Sequence, residues 1–346
     1  MKKLYFLWVG LWFYQPYCWA ADNELIILNW PDYLSKEVIE QFEKENQVTI
    51  KQLYFDSSSE RNKHLFANRG KGFDITNVSE HYLLDYIKMG WAMPLDISLL
   101  PNLKHIEKRY IKYISNQLFS IPYHWGTLGI AYRKDLVNKP IVSWKQILEP
   151  SNELKNKISS IKEGFDLTAI ALKSLGYSAN ETNEDALYQA QQILLKQKPF
   201  VKRYAIWFST PTSGLLTGRE IMGINYNGDA VSLHRENANV EYVFPREGCL
   251  MWMDYWVVLP SSQNKALAYK FLDYLIQPKN AALNSLNLNY ATTNQTALQL
   301  LPKTYLENSV IYPNEKMTKN CEHLHSIDDI HALKSYNHIL IKLLQQ

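Results

Sequence analysis

Polar and aromatic side chains recur directly after the predicted β-strands of this sequence. The residues concerned are Trp30, Asp32, Tyr33, Ser79, Tyr226 and Asp229. Carboxylates can neutralise a cation or act as an acid and a base, and tryptophan and tyrosine offer flat apolar walls. In open α/β sheets, ligands sit beyond the carboxyl ends of the strands. The pattern therefore predicts a cleft at these strand ends.

The elements that must position these residues alternate along the chain. The predicted strands span 24–30, 48–55, 73–78, 126–132, 220–226 and 255–259, and the predicted helices span 35–45, 166–175, 185–196 and 265–276. Such alternation is typical of an α/β fold with mainly parallel sheets. A chain of 346 residues has room for two domains. Because no Gly/Ser-rich linker occurs, two domains joined by several crossings are favoured.

The composition excludes several classes of protein. Hydrophobic residues make up 46% and charged residues 21%, which is typical of a globular chain. The formal charge is +3, without a basic run, so we expect no nucleic-acid partner. No Gly-rich phosphate loop, Gly-x-Ser-x-Gly or His-Glu-x-x-His motif occurs, and the three cysteines lack metal-ligand spacing. We expect neither a metal nor a cofactor. Aromatic residues, at 13%, are the unusual component.

The N-terminus resembles a secretory signal. Lys2 and Lys3 precede an apolar stretch of about a dozen residues, shorter than the ~20 that a membrane span needs. Ala20 is a suitable small residue for cleavage, so we predict a signal peptide over 1–20 and export to a periplasm. Lipidation of Cys18 is the alternative, although the preceding Pro16-Tyr17 is unusual for a lipoprotein. An oxidising compartment permits a bridge between the two remaining cysteines, Cys249 and Cys321, but does not require it.

Several blocks in one order resemble a known family. They are Leu28-Asn-Trp-Pro-Asp-Tyr33, Ile121-Pro-Tyr-His-Trp-Gly-Thr-Leu-Gly-Ile130, Ala171-Leu-Lys-Ser-Leu-Gly-Tyr177, Tyr226-Asn-Gly-Asp229, Pro245-Arg-Glu-Gly248, Trp252-Met-Asp254 and Leu275-Ile-Gln-Pro278. The chain thereby resembles the periplasmic spermidine/putrescine-binding proteins of polyamine ABC transporters. The resemblance implies a monomeric, non-enzymatic protein that delivers a polyamine to an inner-membrane ABC permease.

The resemblance also implies an α/β, two-lobed clamshell of the periplasmic-binding-protein type. Each lobe would be a mainly parallel sheet flanked by helices, with the ligand in the cleft between the lobes. Lobe 1 would comprise residues 22–128 plus 254–302, and lobe 2 residues 129–253 plus 303–346. Hinge closure would trap the ligand between them.

Ligand residues follow from the resemblance where the motifs match. They are Trp30, Asp32, Tyr33, Ser79, Glu163, Asp166, Tyr226, Asp229, Trp252, Asp254 and Tyr290. Carboxylates would neutralise the ammonium groups, and aromatic rings would cover the methylenes between them. No basic residue is among the matched positions, which suits an extended cation.

The sequence departs from the family where selectivity for chain length would be set. Position 226 is Tyr, where the family often has Trp. The family often has an aromatic residue near the position of His81. Its usual polar residue near the C-terminus falls around His323-Leu324 in this chain. The stretch 159–165 also matches poorly. The preference between spermidine and putrescine therefore stays open.

Structural roles compete with each ligand role. Asp32, Ser79 and Asp166 could cap helices, and Asp229 could belong to a turn. Trp30 and Trp252 could pack in a core. Asp254, which opens an apolar strand, is the hardest to explain structurally, because a buried carboxylate needs a partner.

Other functions also fit part of the pattern. Paired acids and tryptophan platforms occur in glycoside hydrolases, so an exported hydrolase is one alternative. A clamshell for another cation or a sugar is a second, and a polyamine sensor is a third. A binder of anions is disfavoured, because the matched positions are acidic rather than basic.

Overall fold

A computed structural model describes residues 23–205 and 212–345. The predicted signal peptide over 1–20, its cleavage site and Cys18 lie outside the described residues. None of the helices in the described ranges is long and apolar enough to cross a membrane.

The strands alternate with helices along the chain, as predicted. The strands are β1 (Glu24–Asn29), β2 (Thr49–Tyr54), β3 (Ile75–Ser79), β4 (Tyr113–Ile114), β5 (Gln117–Leu118), β6 (Ile121–Arg133), β7 (Ile158–Ser160), β8 (Val201–Tyr204), β9 (Met222–Tyr226), β10 (Val240–Val243), β11 (Leu250–Val258), β12 (Ala291–Thr292) and β13 (Glu322–His323). The helices are α1 (Lys36–Asn46), α2 (Ser58–Ala67), α3 (Glu80–Lys88), α4 (Trp144–Leu148), α5 (Gly164–Ser174), α6 (Glu184–Gln197), α7 (Gly214–Thr217), α8 (Asn227–Glu236), α9 (Lys265–Leu275), α10 (Pro278–Leu288), α11 (Lys303–Leu306), α12 (Glu315–Thr318) and α13 (Ile330–Leu344).

One sheet runs through the molecule in the order β2-β1-β3-β11-β6-β9-β7-β8. At one end β1 pairs in parallel with β2 and β3, and at the other end β7 pairs in parallel with β8 and β9. In the centre, β11 and β6 are antiparallel to each other and to their outer neighbours, β3 and β9. The sheet therefore consists of two parallel units joined by two central antiparallel strands.

The central strands connect the two parallel units without a linker. From Ile121 to Leu128 β6 pairs with β11, and from Leu128 to Tyr132 it pairs with β9. The predicted lobe boundaries after residues 128 and 253 fall inside β6 and β11. The assignment of residues to two lobes remains a prediction.

Separate hydrophobic cores lie against the two parallel units. Trp256, Phe42 and Phe271 belong to a core beside β1 and β3, whereas Trp144 and Tyr336 belong to a core beside β7 and β9. Tyr336 lies on α13, which packs on α5 and α6. Each large apolar side chain buried in this way contributes ~1.5–3 kcal/mol to the free energy of unfolding.

The C-terminal segment is fastened to the central strand β11. Cys249 and Cys321 form a disulfide, so the bridge that the sequence left open is present. Directly after it, β13 pairs in parallel with β11, with Glu322 opposite Leu250. The disulfide therefore holds the segment that begins at Cys321 beside the first residues of β11.

Candidate functional site

A cavity of about 270 Å³ lies at the ends of the strands, where the two parallel units face each other. All eleven residues predicted from the sequence line it, namely Trp30, Asp32, Tyr33, Ser79, Glu163, Asp166, Tyr226, Asp229, Trp252, Asp254 and Tyr290. They come from strand ends, from the first turns of α5 and α8, and from the interior of β11. Their roles in binding a ligand remain predictions.

Asp254 is the most enclosed carboxylate of the cavity, with 6% of its surface exposed. It lies inside β11, opposite Ser79 of β3, at a point where the register between β11 and β6 shifts. Irregularities of this kind re-aim side chains. Burial raises the pKa of Asp254, while the hydroxyls of Ser79 and Tyr33 and the charge of Arg61 lower it. These nearby groups offset only part of the effect of burial on this carboxyl.

Asp166 and Glu163 stand at the start of α5. The Tyr226 hydroxyl donates a hydrogen bond of 3.1 Å to Asp166 Oδ2, and the backbone N–H of Ser58 donates one of 2.6 Å to Glu163 Oε1. Burial raises the pKa of Asp166 to about 7, with a further contribution from Asp254. Burial and the neighbouring Asp166 raise the pKa of Glu163 to about 8. The cleft therefore disfavours the charged forms of both carboxyls.

Asp229 and Asp32 form a second acidic group. Burial raises the pKa of Asp229 to about 7; the Tyr290 hydroxyl opposes this rise, and Asp32 adds to it. Asp32 is exposed and has a left-handed backbone, with φ of 51°. It directly follows Pro31 at the carboxyl end of β1, so it lies at the rim of the cavity.

The structural alternatives are resolved for several residues. Asp32 does not cap α1, because Ser35 occupies the N-cap position. Asp229 lies in the first turn of α8, so the alternative of an isolated turn is wrong. Ser79 does occupy the N-cap of α3, but its side chain makes no capping hydrogen bond. The Asp166 carboxylate accepts a hydrogen bond from the Tyr226 hydroxyl, and it accepts none from a backbone N–H of the described residues.

Aromatic rings between the acidic groups meet edge to face. Trp252 contacts Tyr290 at a centroid distance of 5.0 Å and Tyr226 at 6.0 Å, and Tyr33 contacts Tyr290 at 6.0 Å. Such T-shaped contacts add ~0.5–1.5 kcal/mol beyond burial. Trp30 stands at the edge of this group, 4.4 Å from Phe55. We call Tyr33, Tyr226, Trp252 and Tyr290 the aromatic box.

Two glycines leave the space that two rings of the aromatic box occupy. A methyl group at Gly126 would lie 2.6 Å from Trp252 Cζ2, and one at Gly228 would lie 2.4 Å from Tyr290 Cε1. Both distances are too short for any side chain at these positions. The Gly-Asp pair at 228–229 therefore places a ring and a carboxylate side by side.

The box contains polar atoms that lack partners. Tyr33 Oη and Trp252 Nε1 are buried and form no hydrogen bond within the part of the chain that the structure describes. A buried polar group without a partner costs about 1–3 kcal/mol of stability. Both atoms line the cavity, where a bound molecule or water can satisfy them.

Sequence reasoning missed several lining residues. Lys162, which is not among the matched positions, adds a basic residue to the wall of the cavity. Its ammonium group is held by Asp56, with Nζ 2.6 Å from Oδ2. It was missed because the stretch 159–165 matches poorly. His81 also lines the cavity, and burial together with Arg61 lowers its pKa to about 3, so its ring is neutral.

The cavity can therefore hold an extended organic cation. Across residues 23–205 and 212–345, none of the five predicted carboxylates forms an ion pair with lysine or arginine. No group of three or more histidine, cysteine or acidic residues in the described ranges has the arrangement of a metal site.

Comparisons with known proteins agree with this geometry. Residues 37–311 match the family model of bacterial extracellular solute-binding proteins. The chain is 31% identical to the putrescine-binding periplasmic protein PotF of Escherichia coli, over 85% of this chain and 84% of that protein. It is 28% identical to the putrescine/agmatine-binding protein of Pseudomonas aeruginosa, over 85% and 84% of the two chains.

The solved structures include one from Listeria monocytogenes, named for a spermidine/putrescine ABC transporter. It superimposes with a TM-score of 0.84 at 31% identity, over 93% of this chain and 98% of that chain. The predicted α/β, two-lobed periplasmic-binding-protein fold is confirmed. Because the family model spans most of the sequence and a relative above 30% identity covers 85% of it, the chain belongs to the family of bacterial extracellular solute-binding proteins.

Proposed function

We propose that this protein captures a polyamine of the spermidine/putrescine class in the periplasm and delivers it to an ABC permease in the inner membrane. The observation that supports this most directly is the arrangement of two acidic groups around the aromatic box. The inner group comprises Asp254, Asp166 and Glu163, and the outer group comprises Asp229 and Asp32.

The arrangement matches the chemistry of a polyamine. Each ammonium group loses water on entering a closed cleft and needs an anion or hydrogen-bond acceptors in exchange. The inner and outer acidic groups supply these for two separate ammonium groups. The methylenes between them need apolar walls, which Trp252 and Tyr290 provide, and an ammonium over such a ring gains ~0.5–2 kcal/mol.

The proposed lobes close over this site. Residues assigned to lobe 1 (22–128 plus 254–302) touch residues assigned to lobe 2 (129–253 plus 303–346) through Lys162–Asp56 and Glu163–Ser58. Bending of the central strands β6 and β11 would open the cleft, as in hinge-type binding proteins.

The location and mode of action rest on further observations. The signal-like N-terminus, the Cys249–Cys321 disulfide and the periplasmic names of the relatives support export to an oxidising compartment. We propose that the protein acts as a monomer and without catalysis, since its relatives are named for binding.

Thermal unfolding of the mature chain from Ala21 tests the proposal. The protein is unfolded in guanidinium without reductant and refolded, which removes any bound ligand. It is then heated with putrescine, cadaverine, spermidine or spermine. At a hundredfold excess over Kd, a ligand adds ~2.7 kcal/mol to the free energy of unfolding. For a lobe of this size this raises Tm by on the order of 5–10 °C.

Three controls separate the ligand classes. Butylamine carries one ammonium group, 1,4-butanediol carries none, and lysine adds a carboxylate to two amines. We expect a shift with at least one polyamine and none with these three. The absence of a shift with all four polyamines would contradict the proposal.

A further inference from the structure

Arg61 is a buried cation that lies outside the lining of the cavity. It lies on α2 with none of its surface exposed. Its Nε donates to the Tyr86 hydroxyl at 2.7 Å and its Nη1 to the Asn77 carbonyl at 3.2 Å, while Nη2 has no partner in the described residues. Because guanidinium stays protonated in proteins, a full charge is buried here.

No carboxylate pairs directly with this charge in the part of the chain described. Instead, the guanidinium carbon lies 5.3 Å from the centroids of Phe55 and Tyr86 and 5.6 Å from that of Tyr82. Cation–π contacts offset part of the cost of burial, by ~0.5–2 kcal/mol each. Burial of a charge costs more than this unless anions lie near.

Two carboxylates of the cleft contact or pair with residues that lie close to Arg61. Ser58, which binds Glu163, is three residues before Arg61 on α2, and residues three apart share a helix face. Asn77, which binds Arg61, is two residues before Ser79, the partner of Asp254 in the sheet. Ser58 thus links the helix of Arg61 to Glu163, and Asn77 and Ser79 link Arg61 to Asp254.

We propose that Arg61 is a positioning residue that favours ionisation of Glu163 and Asp254 in the empty cleft without touching the ligand. The inference deepens the proposed function and rests on it. Arg61 does not line the cavity, so it acts through its field. Its charge lowers the pKa of both carboxyls against the effect of burial.

The neighbouring groups leave few other titrations in the same range. His81, Tyr82 and Tyr86 of α3 face Arg61, and burial keeps the histidine and both tyrosines neutral near pH 7. Asp166 and Tyr226 face Glu163, and Tyr33 faces Asp254, again with both tyrosines neutral. Near neutral pH the carboxyls of the cleft that change charge therefore include Glu163, Asp166 and Asp229, and burial also raises the pKa of Asp254.

The test compares Arg61→Met with Arg61→Lys between pH 6.5 and 8.5. Without the guanidinium the carboxyls keep their protons to higher pH, and a shift of one unit is a tenfold change in ionisation. For Arg61→Met we expect putrescine affinity about tenfold weaker at pH 6.5 and within about threefold of wild type at pH 8.5. Arg61→Lys keeps the charge and should follow the wild-type profile.

Lys173→Met is the matched control, because it removes a buried cation that pairs with Glu322 outside the cleft. It should lower Tm without changing the pH profile. Carbon-13 NMR titration of the Glu163 and Asp254 carboxyls in ligand-free protein provides a readout that needs no polyamine. Both carboxyls should titrate at higher pH in Arg61→Met than in wild type.

Each outcome is decisive. If Arg61→Met loses affinity equally at every pH, or if Arg61→Lys behaves like Arg61→Met, packing explains the effect and the inference is wrong. Unshifted carboxyl titrations in Arg61→Met would also overturn it. If the wild type binds no polyamine but the titrations shift, the proposed function fails and the role of Arg61 stands.

Discussion

Glu163 at the start of α5 accepts a hydrogen bond of 2.6 Å from the backbone N–H of Ser58 at the start of α2. Beside it, Lys162 pairs with Asp56. Lys162 and Glu163, which follow β7, therefore contact Asp56 and Ser58, which follow β2, at the edge of the cavity. We call these two contacts the latch.

Breaking the ion pair of the latch should speed polyamine release. The Lys162 and Asp56 side chains are 29% and 50% exposed, so their pair contributes only ~0.2–1 kcal/mol. We expect Lys162→Met to raise the dissociation rate about two- to fivefold with little change in the association rate. Stopped-flow tryptophan fluorescence measures both rates.

The exchange Asp56→Lys with Lys162→Asp should restore slow release. Lys134→Met, which breaks an exposed pair with Glu241, is the control. Failure of the exchange to restore the rate would contradict a role in closure.

Loss of the innermost carboxylate should weaken binding most. Asp254→Asn keeps the shape of the side chain but removes the charge that we propose faces an ammonium group. Truncation of a buried, hydrogen-bonded charge pair costs ~2–5 kcal/mol. We expect Kd to rise at least about tenfold in Asp254→Asn and in Trp252→Ala, measured by calorimetry. Asp135→Asn, in an exposed pair with Arg133, should leave Kd unchanged. Wild-type affinity in both site variants would contradict the assignment.

The two acidic groups should affect ligands of different length differently. Asp166 belongs to the inner group and Asp229 to the outer group, so a triamine and a diamine place their ammonium groups differently between them. We expect Asp166→Asn and Asp229→Asn to change the ratio of the Kd values for spermidine and putrescine in different degrees. Calorimetric titration of both ligands into both variants measures the ratio. The same ratio in wild type and both variants would show that these acids do not set chain length.

The empty protein should lose stability as the pH rises. Burial raises the pKa of Asp166 and Asp229 to about 7 and of Glu163 to about 8, whereas carboxyls in the unfolded chain titrate near ~4. Through these three carboxyls the folded state binds more protons than the unfolded chain, which lowers the free energy of unfolding between roughly pH 4 and 8. Burial lowers the pKa of His81 and His124 to about 3, against ~6.5 in the unfolded chain, so both have the opposite effect below roughly pH 6.5. Glu80, whose pKa is lowered to about 2, also has the opposite effect, below roughly pH 4.5.

Urea unfolding of ligand-free protein at pH 6.5 and 8.0 measures the change that the carboxyls cause. Asp166→Asn removes one of the titrating groups and should show a smaller loss between the two values. A polyamine favours the charged carboxylates, so its stabilisation should be larger at pH 8.0. Equal losses in wild type and Asp166→Asn would contradict this account.

The sequence was sufficient to find the site where local pattern and motif coincide. Trp30, Asp32 and Tyr33 follow a strand, and the chain direction of a parallel unit fixes the edge on which strand ends meet. Asp254 was placed before its strand, because Met251-Trp-Met253 does not alternate between apolar and polar residues. The strand begins earlier because β11 is buried between β3 and β6.

Other features depend on tertiary contacts that no local pattern contains. Asn227-Gly-Asp229 is typical of a turn, yet it begins α8 with Tyr226 at the N-cap. Arg61 lies in a helix rich in polar residues, where an arginine is normally solvated. It is buried because Phe55, Tyr82 and Tyr86 enclose it, and these rings come from two other segments.

The uninterrupted course of β6 and β11 has a consequence for engineering this molecule. Neither half is a separable building block, because cutting between the halves would sever two strands in mid-course and leave unpaired edges on both fragments. Exchange of whole halves between relatives would therefore need both strands to be transplanted together. A fluorescent reporter is better inserted in the exposed connection before α6 than near residues 128 or 253, where it would interrupt the two central strands.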